Sequence, residues 1–74
     1  MAILKLDVRG LASPNCILKV ASQIRHMKKG SILEVWADCP FFEKDIRAWC
    51  RNTGREILFL ESEGESTKKI RIRV

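Results

Sequence analysis

The sequence predicts an α/β fold, an open-faced two-layer sandwich in which two helices cover one side of a four-stranded mixed sheet. Three observations predict it. Three segments alternate apolar and polar residues as half-buried strands do, a fourth also reads as a strand, and two more carry apolar residues at helical spacing. The chain has 74 residues, enough for one small domain and one core.

The elements follow in order. Residues 2–8 set Leu4, Leu6 and Val8 against Ile3, Lys5 and Asp7, and Gly10 ends this strand. Ser13-Pro14 reads as a helix start, with Ser13 as N-cap and Pro14 in the first helical position. Ile17, Val20, Ala21, Ile24 and Met27 or Lys28 then form an apolar stripe, closed by Lys28-Lys29-Gly30. Residues 31–37 alternate again, with Leu33, Val35 and Ala37 opposite Ile32, Glu34 and Trp36. Cys39-Pro40 repeats the cap-plus-proline pattern, and Phe42, Ile46, Trp49 and Cys50 mark the second helix, which Gly54 terminates. Residues 57–61 form a third strand, residues 63–66 a turn, and residues 68–74 a fourth strand.

The order β-α-β-α-β-β makes the first two strands parallel through a helical crossover and the last two an antiparallel hairpin. Both helices then start at the same edge of the sheet. Ser13, Cys16 and Cys39 gather there, where free backbone N–H groups and helix dipoles favour anions and lower a thiol's pKa.

Composition narrows the function. At 46% hydrophobic and 31% charged the chain is globular, not disordered. No apolar run approaches the roughly 20 residues of a membrane span, and the first residues do not read as a signal peptide. A cytoplasmic protein without membrane contact is expected. Fourteen Lys and Arg against nine Asp and Glu give +5, which suits an acidic partner such as RNA or a protein surface. Three cysteines cannot all pair within one chain, and in the cytoplasm free thiols are expected.

The thiols differ in setting. Cys16 lies on the margin of the helix-1 stripe and suits either a small packing residue or a reactive thiol. Cys39 is a poor N-cap, so packing explains it less well, although Asp38 beside it opposes a thiolate. A Cys16–Cys39 disulfide or relay is open, since spacing does not fix their distance. Cys50 reads as core. His26, late in helix 1, is too remote to act as a base for either thiol. No C-x-x-C spacing is present, so neither a zinc site nor any other metal or cofactor is expected. Phe41, beside the thiols, reads as a first-turn residue that staples the helix or docks a partner.

The stretch Asp7-Val8-Arg9-Gly10-Leu11-Ala12-Ser13-Pro14-Asn15-Cys16 resembles the TusA/SirA-like sulfur-carrier family, whose signature is roughly Asp-x-Arg-Gly-Leu-x-Cys-Pro-x-Pro. Lys19, Lys29-Gly30, Asp45-Ile46 and Ala48-Trp49-Cys50 extend the likeness over residues 1–74 as a single domain. The resemblance implies a sulfur carrier. A cysteine before the first proline would take persulfide sulfur from a cysteine desulfurase or another sulfurtransferase. It would pass the sulfur on, for example towards tRNA thiolation. Here Ser13 stands at the family's Cys and Cys16 at its second Pro, and a hydroxyl cannot hold a persulfide. Three accounts of Ser13 are open: an engineered exchange, drift with Cys16 taking over the sulfur, or loss of transfer with partner binding kept.

If the chain transfers sulfur, Cys16 is the first candidate thiol and Cys39 the second. Asp7, Arg9, Gly10 and Pro14 would shape the loop, and Arg9 and Lys19 would lend positive charge to a thiolate. The alternative is a non-catalytic binding module. On the uncovered side of the sheet Lys69, Arg71 and Arg73 share a face with Trp36, which can hold single-stranded RNA or a protein.

Overall fold

A computed structural model describes residues 3–74 in the order β1 (Ile3–Asp7), α1 (Asn15–Arg25), β2 (Ile32–Ala37), α2 (Phe42–Thr53), β3 (Glu56–Glu63) and β4 (Thr67–Arg73). The four strands form one sheet in the order β1-β2-β4-β3. β1 runs parallel to β2, while β4 is antiparallel to both β2 and β3. This is the open two-layer α/β sandwich that the hydrophobic periodicity predicts. Ala2, assigned to the first strand from sequence, lies outside the described residues.

The two stripes account for the core. Cys16, Val20 and Ile24 of α1 and Phe42, Ile46 and Cys50 of α2 are buried. They meet Val8, Leu33, Val35, Ala37, Ile70 and Ile72 from the sheet. Each fully buried aliphatic side chain here contributes about 1.5–3 kcal/mol. β1 is an edge strand, so Leu4 stays 42% exposed even though it shares the inward parity of Leu6 and Val8.

The helix starts differ from expectation, and both differences lie next to the candidate site. Ser13 does not cap α1. Pro14 holds the cap position without a side-chain bond, and its carbonyl accepts from Ile17 N and Leu18 N, each at 3.1 Å. The helix opens one residue later than the Ser-Pro pattern implies. Cys39 does not cap α2 either. The chain makes a further turn through Pro40, and Phe41 is the cap residue, in the left-handed region at φ 64°. Its carbonyl accepts from Asp45 N at 2.9 Å.

One helix end also shifts. α1 stops at Arg25 with His26 as C-cap, so Lys28-Lys29 lie in the following turn rather than in the last turn of the helix. Gly30, at φ 92°, turns the chain there, and its N–H donates to the Val74 carbonyl at 2.8 Å. α2 ends on Gly54 in the left-handed conformation, as the sequence indicates.

Candidate functional site

The connections after β1 and β2 lie side by side because those strands are parallel neighbours. Val8 N donates to Trp36 O at 2.8 Å, carrying the pairing one residue past β1. Beyond it, Gly10 N donates to Asp38 Oδ1 at 2.9 Å and ties the two loops together. Gly10 adopts φ 86°, a turn that a side chain would strain. Asp38 is thus the acceptor of a loop-to-loop hydrogen bond.

This clip leads directly to the sulfurs. Cys16, the second residue of α1, and Cys39, three residues before α2, are joined as a disulfide with their Cα atoms 6.9 Å apart. Cys16 is fully buried, and Cys39 retains 7% of its surface. The helix-start edge therefore brings together the two thiols that sequence reasoning singled out. Ser13 and Pro14 are exposed in the loop above them, and Lys19 is exposed on α1. Cys50 is the free thiol. Burial pushes its pKa up to about 11, and Arg55 opposes the shift only in part.

The same end of the domain carries exposed apolar side chains. Leu11 lies in the first loop, Leu18 in the first half of α1, and Phe41, 75% exposed, at the start of α2. The remaining exposed large hydrophobics among the described residues are Ile3 and Leu4 on β1. An exposed aromatic held at positive φ is unusual, because bulky L-residues avoid that region.

Arg9 turns towards the open face. Its Nε and Nη2 donate to Asp7 Oδ1 and Oδ2 at 2.9 and 2.7 Å, and its guanidinium sits 5.7 Å from the Trp36 ring centre. The Arg9 side chain and its backbone N–H hold the Asp7 carboxyl down at about 2. Asp7 and Arg9 thus pair with each other.

On the open face, Trp36, Lys69, Arg71 and Arg73 lie together as the alternation of β2 and β4 implies. The face is not a free basic strip. Lys69 meets Glu63 at 3.1 Å, Arg71 meets Glu34 at 2.9 Å, and Arg73 meets Glu56 at 2.9 Å. Phe59 of β3 adds a second aromatic, 5.3 Å from the Arg71 guanidinium, and Lys69 lies 5.4 Å from the Trp36 ring centre. Sequence alternation misses this pairing because it identifies a face without fixing which residues stand opposite one another.

A model of the family described as Sulfurtransferase TusA matches residues 4–74. The chain belongs to the TusA family. It is 39% identical over 69 residues to the Thermotoga maritima protein named "Putative sulfur carrier protein", covering 93% of this chain and 87% of that one. It is also 39% identical over 64 residues to "Putative sulfur carrier protein YrkF" of Bacillus subtilis, covering 86% of this chain. The match spans about a third (35%) of YrkF's own length.

Within the TusA fold, exposed Ser13 stands just ahead of α1, and the buried Cys16–Cys39 pair lies at the same helix-start edge. No helix among the described residues is long and apolar enough to cross a membrane. The described residues also contain no cluster of His, Cys, Asp and Glu arranged to hold a metal ion.

Proposed function

We propose that this TusA-family chain is a sulfur carrier that uses the Cys16–Cys39 pair in place of the family's motif cysteine. The observation that supports this reading is the meeting of those two sulfurs at the helix-start edge. Ser13 cannot serve, because an alcohol is neither acidic enough to attack a persulfide nor able to hold one. Both cysteines are buried, but Cys39 at 7% lies nearer the surface than fully enclosed Cys16, so Cys39 receives the incoming sulfur after reduction frees it. This reverses the order that sequence alone suggests.

The donor is a protein that carries a persulfide, of the cysteine desulfurase or sulfurtransferase class. Leu11, Leu18 and Phe41 frame the docking surface with apolar area beside the thiols. Thiolation of a tRNA base is one destination that the family resemblance suggests for the sulfur.

The test is intact-protein mass spectrometry with peptide mapping, on reduced chain mixed with a cysteine desulfurase and cysteine. Cys16→Ala is expected to gain one sulfur atom on Cys39, and Ser13→Cys to gain sulfur at the motif position as well. Failure of every thiol-bearing form to gain sulfur overturns the carrier reading.

A further inference from the structure

Resting on the carrier reading above, we infer that Cys16 is a resolving thiol, so that this chain releases the sulfur it accepts as sulfide and is left as the Cys16–Cys39 disulfide. The structure joins two buried cysteines that lie at different depths. Cys16 is fully enclosed in the core, whereas Cys39 stands at its rim with 7% exposure. Three surface cavities lie elsewhere on the domain, and neither Cys16 nor Cys39 lines them. They are lined by Arg47, Cys50 and Ile57, by Ile24, Met27 and Gly54, and by Lys5, Asp7 and Trp36, among others. A persulfide on Cys16 would force one more sulfur atom into a close-packed interior. A persulfide on Cys39 can extend outward.

The chemistry follows from that asymmetry. The Cys39 thiolate attacks the outer sulfur of the donor persulfide. A bond forms between Cys39 Sγ and that sulfur, and the donor leaves as a thiolate. The Cys16 thiolate then attacks Cys39 Sγ, the inner sulfur. The Sγ–Sγ bond forms, the bond to the outer sulfur breaks, and hydrosulfide departs with the electron pair. Two electrons pass from the two cysteines to the sulfane sulfur, which is reduced to sulfide. Attack by Cys16 on the outer sulfur instead would move the atom into the core, where it has no space. The product of inner attack is the bond the structure contains. A dithiol reductant, such as a dithiol protein or dithiothreitol, exchanges with the disulfide and restores both thiols.

A single Cys carrier delivers sulfur at the sulfane level and stays charged until an acceptor arrives. With a resolving thiol this chain discharges by itself, delivers sulfide, and needs a dithiol for each turnover. Cys50 takes no part, because it lies in the cavity-lining group at the other end of α2 from the pair.

The experiment uses a desulfurase loaded with persulfide and freed of cysteine, mixed with the reduced chain while free sulfide is assayed. The expected result is one equivalent of sulfide per chain, a loss of two hydrogens in mass, and a mapped Cys16–Cys39 bond. Cys16→Ala is expected to hold sulfur stably on Cys39 and release no sulfide until a thiol is added. Cys16→Val, closer in volume, repeats the test in case the alanine variant fails to fold. If the unaltered chain keeps a stable added sulfur with Cys16 free, the resolving role is overturned and the carrier reading stands. If sulfur reaches neither the unaltered chain nor the Cys16 variants, both fall.

Discussion

The Glu34 carboxylate, only 3% exposed although it lies on the uncovered side of the sheet, accepts a hydrogen bond from Arg71 Nε at 2.9 Å. Its other oxygen accepts from Trp36 Nε1 at 3.0 Å. Trp36, then Arg71, hold the carboxyl below the ordinary glutamate range, against a desolvation that pushes it up. A depressed carboxylate stabilises the fold above its unfolded pKa of about 4.3, and the contribution is lost as pH falls through the lower folded value. Glu34→Gln should therefore cost about 1–3 kcal/mol at pH 7, and the gap from the unaltered chain should narrow towards pH 3. Urea midpoints at both pH values check this. Parallel curves would show that Glu34 does not titrate with folding.

Reducing the Cys16–Cys39 bond should loosen the domain without unfolding it. The bond spans a sequence separation of 23, and closing a loop of that size restricts the unfolded chain by about 3 kcal/mol. Denaturant midpoints with and without dithiothreitol, in a Cys50→Ala background, measure the difference. An unchanged midpoint would mean that the crosslink does not form in solution.

Cys50 should resist alkylation in the native state. Its thiol is 2% exposed and pushed up to about 11, so little thiolate exists at pH 8 and little of it is reachable. Iodoacetamide should label Cys39 first in the reduced chain and Cys50 only on unfolding. Labelling of Cys50 at the rate of a free peptide thiol would contradict the packing.

Phe41 trades stability for contact. Held at φ 64° and 75% exposed, it occupies a conformation that glycine adopts freely. Phe41→Gly should leave the fold as stable or up to about 1 kcal/mol more stable, while sulfur uptake from a desulfurase slows several-fold. Thermal midpoints and uptake kinetics separate the two effects. Faster or unchanged uptake would remove Phe41 from the docking surface.

Much of the fold is legible in the chain because its signals are periodic. Ile17, Val20 and Ile24, then Phe42, Ile46 and Cys50, declare helices, while Leu33, Val35 and Ala37 declare a strand. The helix starts are less so. Ser-Pro and Cys-Pro suit a cap followed by a first turn, yet Pro14 and Phe41 are the cap residues. Backbone direction after a proline depends on what the loop must reach, and here each loop must reach the other. The pairing of Arg71 with Glu34, 37 positions apart, was also hidden, because register is set by packing and not by composition.

The hydrogen bond from Gly10 to Asp38 has a kinetic consequence. It latches the loop ahead of Cys16 to the loop that bears Cys39, independently of the bond between their sulfurs. Once that bond opens, the two thiols do not drift apart but meet again as parts of one framework. Their encounter is unimolecular, with an effective concentration that free thiols in solution do not match. Which partner closes the reaction is then decided by the latch, and dilution of the protein leaves that choice unchanged.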